Sequence, residues 1–285
     1  MPKSRLENVR IVLVEPAGPL NIGSVARVMK NMGLQRLVLV NPQCDPLGVK
    51  ARRMAVHGVD LLEAAQTVAA IPDALQGCQR AIATTARART PETRLETPEE
   101  ALPWLLNQAE GNLESERSLN LQSALIFGPE DRGLSNRELN YAQRFIQIPA
   151  NPAYPSLNLA QATAVCSYVL YRSAQGAIFE TELKRTESIL SAPQWDHQSS
   201  DQPDQQSLTA DLDHLEGYYQ HLEAMLLKIG YLYPHTAESR MEKFRRLLHR
   251  ATPSAQEVAM LRGILRQVEW ALDSSVQRSS DSRVQ

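Results

Sequence analysis

Residues 10–14 (RIVLV) and 37–40 (LVLV) are short apolar runs rich in β-branched side chains, and NIGSVARVMKNMG lies between them. Each run reads as a buried strand, and the segment between reads as an amphipathic helix opened by Asn21 and ended by Gly33. A strand, a helix and a second strand joined by connections this short argue for a parallel sheet. Further strand candidates follow at 80–85 (RAIATT), 124–127 (ALIF) and 145–148 (FIQI). The expected fold class is therefore α/β, a parallel sheet flanked by helices.

The remaining stretches read more weakly. Residues 51–70 look helical with a break at His57-Gly58, where a lone histidine reads as structural. Residues 98–108 read as a surface helix. The segment 191–207 is rich in Ser, Gln, Asp and Pro and reads as a linker. Beyond it Leu212, Leu215, Leu222 and Leu226 recur at helical spacing. A second helix carries Met241, Phe244, Leu247 and Leu248. A third opens with a capping box from Ser254 to Glu257 and aligns Val258, Leu261, Leu265, Val268 and Leu272. The expected organisation is an α/β domain at 1–190, a linker at 191–207, a helical module at 208–273 and a disordered tail at 274–285.

Three loops could hold a polar ligand. IPANPAYPSLN at 148–158 offers a hydroxyl, a carboxamide and backbone amides beside a helix start. The plain alternative is a strand-to-helix turn with Ser156 as N-cap. GPEDRGLSNREL at 128–139 is a tight turn whose backbone can approach a ligand, and Ser135 with Glu138 forms a capping box. Asn21 and Arg27 lie six residues apart, roughly 600° of helical rotation, so they do not share a face. If both serve one site, Asn21 acts from the loop edge. The plain alternative makes Asn21 a cap and Arg27 a solvated charge.

Charge argues for local rather than global anion binding. The chain of 285 residues is 43% hydrophobic and 22% charged with a net charge of -2, as expected for a soluble globular protein. Residues 36–94 carry eight Lys/Arg against five Asp/Glu, and 231–272 carry seven against four. Arg87, Arg89, Arg245 and Arg246 are the candidate phosphate contacts, with a solvated charged surface as the alternative. Cys44, Cys78 and Cys166 have no metal-ligand spacing and fit a reducing cytoplasm. The N-terminus MPKSRLENVR has no apolar signal core, and no run of about 18 apolar residues would span a membrane. The sequence has no GxGxxG after a strand, no GxxxxGK[ST], no HExxH and no GxSxG.

Taken together, Asn21-x-Gly23-x-x-x-Arg27, LIFGPE-x-x-GL at 125–134, and Ile148-Pro149 followed by Ser156-Leu157-Asn158-Leu159 resemble the SpoU branch of the SPOUT superfamily of RNA methyltransferases. The likeness covers roughly residues 8–175. The tail RMEKFRRLLHRATPSAQEVAMLRGILRQVEWAL resembles the C-terminal helical extension of the TrmJ subfamily, whose enzymes methylate a ribose 2′-hydroxyl at position 32 of tRNA. The resemblance implies a deep trefoil knot in the C-terminal part of the α/β domain, a homodimer, and S-adenosylmethionine bent into the knot. It places the cofactor against Thr84, Thr85 and Ala86, against Gly128, Pro129 and Glu130, and against Ile148 with Ser156, Leu157 and Asn158.

The same resemblance gives roles. Arg27 orients or activates the hydroxyl as an electrostatic clamp, since a guanidinium is a poor general base. Ser156 and Asn158 bond the nucleotide or cofactor, Asn21 shapes the site, and Glu130 positions backbone or Arg27. The implied activity is S-adenosylmethionine-dependent 2′-O-methylation of tRNA, at cytidine or uridine 32, by a cytoplasmic enzyme without a metal. A ribosomal-RNA substrate, an RNA-binding protein without catalysis and a small-molecule methyltransferase are the competing readings.

Overall fold

The computed structural model describes residues 5–86, 94–106, 121–190 and 209–281. The chain divides into two units, Met1–Asp204 and Gln205–Gln285.

The first unit is built on seven strands: β1 (Val9–Val14), β2 (Arg36–Val40), β3 (Gln66–Val68), β4 (Arg80–Thr84), β5 (Leu95–Glu96), β6 (Ser123–Phe127) and β7 (Arg144–Ile146). Every pairing is parallel, in the order β3-β2-β1-β6-β4-β7-β5. All five residues of β6 are buried, which is why it reads as an unbroken apolar run. The order is interleaved: β6 lies between β1 and β4, and β7 lies between β4 and β5.

The helices of this unit are α1 (Pro19–Asn31), α2 (Val49–Ala55), α3 (Val59–Glu63), α4 (Ile71–Ala74), α5 (Pro98–Ala101), α6 (Pro103–Leu106), α7 (Asn136–Leu139) and α8 (Leu159–Leu190). Ile22, Val25, Ala26 and Met29 of α1 and Leu159, Cys166 and Leu170 of α8 join Ile11, Leu13, Leu39, Leu125 and Phe127 in one core. The alternate strand residues Val12, Val38 and Ile126 are buried too, so both faces of the sheet are covered.

Local chemistry corrects several expectations. α1 starts at Pro19 with Gly18 before it, two residues earlier than Asn21, because proline is pre-set for the first helical position. Gly33 ends the helix as expected, at φ 72°, with Leu34 N–H donating to Met29 C=O at 3.0 Å. The cap of α8 is Asn158 and not Ser156. Ala160 N–H donates to Asn158 Oδ1 at 2.9 Å, and Gln161 Oε1 accepts from Asn158 N–H at 3.2 Å. The stretch read as helical to residue 70 ends in β3, where pairing with β2 overrides local preference. Residues 98–106 form two short helices with Leu102 and Leu105 buried, not a surface helix. The linker at 191–207 lies outside the described residues.

The second unit contains α9 (Leu212–Lys228), α10 (Ala237–Ala251) and α11 (Ala255–Asp281). Leu215, Tyr219, Leu222 and Met225 of α9 are buried, as are Met241 of α10 and Val258 of α11. The Ser254 capping box forms as read, with Glu257 N–H donating to Ser254 Oγ and Ser254 N–H donating to Glu257 Oε2 at 2.7 Å. Since α11 runs to Asp281, the tail expected as unstructured from 274 is helical through that residue. DSSVQRSSD has no glycine or proline to stop it.

Candidate active site

In a parallel sheet the strands end on one side, and ligands bind in the crevice beyond those carboxyl ends. Here β6, β4 and β7 are neighbours, so the loops at Gly128–Glu130, Thr84–Ala86 and 147–148 leave the same edge side by side. The β1 loop, Glu15 to Gly18, leaves from the adjacent strand.

Glu130 links these loops. Its carboxylate accepts from Ala17 N–H and Gly18 N–H, both at 3.1 Å, and from Asn21 Nδ2 at 2.8 Å. Asn21 Oδ1 in turn accepts from Asn158 Nδ2 at 3.0 Å. The orientations are forced. A carboxylate only accepts, so the Asn21 amide nitrogen must face it, leaving its oxygen for Asn158. Asn158 Oδ1 caps α8, so only its nitrogen is left for Asn21. One hydrogen-bonded chain thus joins residues from all three motifs. Burial pushes the Glu130 carboxyl up, but the bonds from Asn21, Ala17 and Gly18 outweigh it and hold the group below its ordinary value.

Arginine 132, not singled out in the sequence, makes a second clamp. Its guanidinium donates to Glu15 at 2.7 Å and to both Glu138 oxygens at 2.8 and 3.0 Å. Glu15 follows β1 at φ 46° and is further bonded by Asn41 Nδ2 at 3.3 Å. Glu138 also closes the expected capping box with Ser135. Burial raises its carboxyl, yet the bonds from Arg132 and Ser135 bring it down to about 2. The signal available in the sequence was that capping box, with an arginine six residues upstream. Gly128 is required by the same turn, since a Cβ there would stand 2.4 Å from Leu134 N.

The other expected residues sit as follows. Thr84 Oγ1 donates to Ile126 C=O at 3.2 Å, Thr85 N–H donates to Ile146 C=O at 2.9 Å, and Ala86 C=O accepts from Gln147 Nε2 at 2.7 Å. Pro129 is buried and Ile148 half-buried, while Ser156 and Leu157 are exposed on the loop before α8. Arg27 is exposed on α1, and among the described residues it has no hydrogen bond or ion pair. Glu130 bonds the Ala17 and Gly18 backbone and the Asn21 side chain, and among the described residues no hydrogen bond joins it to Arg27.

In the second unit Arg245 donates from Nη1 and Nη2 to the two Glu216 carboxylate oxygens at 2.5 and 2.9 Å and lies 4.4 Å over the Tyr219 ring. Arg246 pairs with Glu242 at 2.7 Å. Both are engaged within the module and half-buried, whereas Arg240, Lys243 and Arg250 are exposed. Arg87 and Arg89 lie outside the described residues. No cluster of His, Cys, Asp or Glu that could hold a metal occurs among the described residues.

The sequence pattern of the SpoU rRNA Methylase family matches residues 8–168, which hold every residue of the hydrogen-bonded chain. The chain belongs to the SpoU methylase family. The pattern of the TrmJ C-terminal domain matches residues 213–281. The chain is 39% identical to the tRNA (cytidine/uridine-2'-O-)-methyltransferase TrmJ of Pectobacterium atrosepticum, over 97% of this chain and 99% of that one. It is 38% identical to the tRNA (cytidine/uridine/adenosine-2'-O-)-methyltransferase TrmJ of Pseudomonas aeruginosa, over 97% and 100%. Among solved structures, TrmJ from Z. mobilis ZM4 superposes with a TM-score of 0.71 at 28% identity, covering 91% of this chain and 98% of that one. The seven-stranded parallel sheet flanked by helices and the expected SpoU architecture therefore agree.

Proposed function

We propose that this SpoU methylase transfers a methyl group from S-adenosylmethionine to a ribose 2′-hydroxyl of tRNA, at the cytidine or uridine of position 32 in the anticodon loop. The observation that carries the reading is the chain Glu130–Asn21–Asn158, which draws three loops together at the carboxyl edge of the sheet. The relatives similar over nearly the whole chain are named tRNA 2'-O-methyltransferases of cytidine and uridine, one of them of adenosine as well, which supports the reaction and the tRNA substrate.

The residues present fit the cofactor. Glu130 accepts from three neutral donors and, among the described residues, from no cation, so a net negative charge stays at the strand edge. A sulfonium is a cation and is favoured beside such a charge. Thr84, Thr85, Ala86, Gly128, Pro129, Ile148, Ser156, Leu157 and Asn158 would hold the group, which when bound supplies an electrophilic methyl. The ribose hydroxyl must lose its proton as it attacks, and its oxygen carries developing negative charge. Arg27 stabilises that charge, while the proton passes to water or to the adjacent RNA phosphate. Asn21 and Asn158 fix the loops, so the reacting atoms meet in one orientation.

Arg27 acts across a homodimer in this reading. It lies seven residues from Leu20, on the same face of α1, and Leu20 is 51% exposed. On α8, packed against α1, Val165 and Tyr168 are also exposed. Pairing two copies through these faces covers the apolar residues and carries Arg27 toward the partner's strand edge. The interleaving of β7 between β4 and β5 supports threading of the chain into the expected trefoil knot. No helix among the described residues is long and apolar enough to cross a membrane.

The test uses tRNA from a strain lacking this gene, incubated with the protein and methyl-labelled S-adenosylmethionine, with the modified ribose mapped by mass spectrometry. Label at position 32 is expected. Label confined to ribosomal RNA would overturn the substrate. Arg27→Ala should slow single-turnover transfer by about 10²- to 10³-fold. Mixing Arg27→Ala with Asn158→Ala chains should restore activity if the arginine serves the partner's site; mixtures as inactive as the parents would reject that arrangement.

A further inference from the structure

Exposed aromatic rings are costly to display to water, so a rigid segment that displays several asks what they meet. The turn between α9 and α10 is such a segment. Tyr231 is 53% exposed and Tyr233 55%, whereas Leu232 between them is 2% exposed. The buried leucine pegs the turn and leaves a tyrosine out on either side. Gly230 takes φ 76° to enter it, and Tyr231 N–H and Leu232 N–H both donate to Leu226 C=O at 3.0 Å. Thr236 N–H donates to Tyr233 C=O at 2.9 Å and closes the far side. These rings are held in place by the backbone.

The surroundings carry matching charge. Arg240 lies 5.7 Å from the centre of the Tyr231 ring and donates to its carbonyl at 3.0 Å. The Tyr233 and His235 rings stack, with centres 6.0 Å apart and planes 23° from parallel. Along α10, the exposed residues Arg240, Lys243, Leu247 and Arg250 fall within roughly an 80° arc. No acidic residue shares that stripe, and the helix's inward arginine, Arg245, is bound to Glu216.

Rings with an open face beside a row of cations match single-stranded nucleic acid, whose bases stack while its phosphates follow the charges. We propose that Tyr231 and Tyr233 form a stacking platform for an unpaired nucleobase, with Arg240, Lys243 and Arg250 taking the phosphates of the same strand. This rests on the RNA-substrate reading above and adds a base-contacting site to it, in the helical module.

The test uses the full-length protein. A short unstructured oligoribonucleotide with one 2-aminopurine reports stacking by loss of fluorescence, and filter binding measures affinity for tRNA. Native protein should quench the probe. Tyr231→Ala and Tyr233→Ala should each abolish part of the quench and weaken tRNA binding about tenfold, with Tyr→Phe at either position restoring both. Lys243→Ala should leave the quench intact, weaken binding, and reduce the slope of log affinity against log salt by about 0.7. Unchanged melting curves check that the exposed substitutions leave the fold intact. If the Tyr→Ala variants bind tRNA and quench as native does, while native protein still methylates tRNA, the platform is wrong and the enzyme reading stands. If those substitutions change only self-association or protein binding, the platform serves a protein contact and the proposal fails. If native protein neither binds nor methylates tRNA, both readings fail.

Discussion

Glu130 and Glu216 are both held by several hydrogen bonds, and they do opposite things with them. Glu130 takes three neutral donors from a segment more than a hundred residues away and, among the described residues, meets no cation. Glu216 takes the fork of one arginine 29 residues away and is neutralised by it. The first arrangement organises loops around open ground and leaves a charge there for something else to meet. The second fastens α10 to α9 and frees the outer side of α10. The proposed site in one unit rests on charge left without a cation; the proposed surface in the other rests on charge cancelled inside.

The sharpest way to break this contrast is Glu130→Gln. The amide offers one uncharged acceptor and turns an NH₂ toward donors, so Asn21 and the Ala17–Gly18 backbone lose their common anchor. We expect kcat to fall about 10²-fold, with the melting temperature nearly unchanged. A loss of stability with kcat retained would make Glu130 a fold residue. Next in size is Arg245→Met, which strands the 14% exposed Glu216 carboxylate and should cost about 3 kcal/mol in denaturant unfolding of the module. Adding Glu216→Leu should recover much of that loss. The salt slope of tRNA binding should stay as in the native protein, because Arg245 already has its partner. A flatter slope would return Arg245 to the RNA surface.

The smallest expected effect concerns pH. The Glu138 carboxyl sits at about 2 in the folded chain against an ordinary 4.5. A depressed carboxyl stabilises the fold above its ordinary value, and the contribution is lost as pH falls toward the folded value. Stability should therefore decline between pH 4.5 and 2 in the native protein, and decline less steeply in Glu138→Gln. Equal slopes in the two proteins would show that the Arg132–Glu138 clamp contributes nothing in solution.

Much of the fold was legible because strands buried on both faces print unbroken apolar runs, as β1, β2 and β6 do. β3 and β5 were not, since QTV and LE have no such run and are strands only because a neighbour offers pairing. The candidate residues Asn21, Glu130 and Asn158 were legible by motif, but their chemistry was not. No spacing rule connects positions 109 or 137 apart, and only the folded loops bring the three amide and carboxylate groups into one chain. Arg245 shows the reverse limit, its side chain 15% exposed and bound to Glu216 of α9. A basic run reads as a surface until the structure reveals which cations face inward.

The strand order has a consequence for how the molecule comes into being. β1 to β3 can pair as soon as they leave the ribosome, but β4 meets β1 only through β6, and β5 meets β4 only through β7. For the dozens of residues made between β4 and β6, the edges of β1 and β4 stand open, with backbone groups waiting for a strand not yet synthesised. Asn21 is among the first residues of the site to be made and Asn158 the last, so the site exists only when the domain is nearly whole. A nascent chain cut short before residue 144 carries the first two motifs but lacks β7 and Asn158, which ties the proposed site to completion of the first unit.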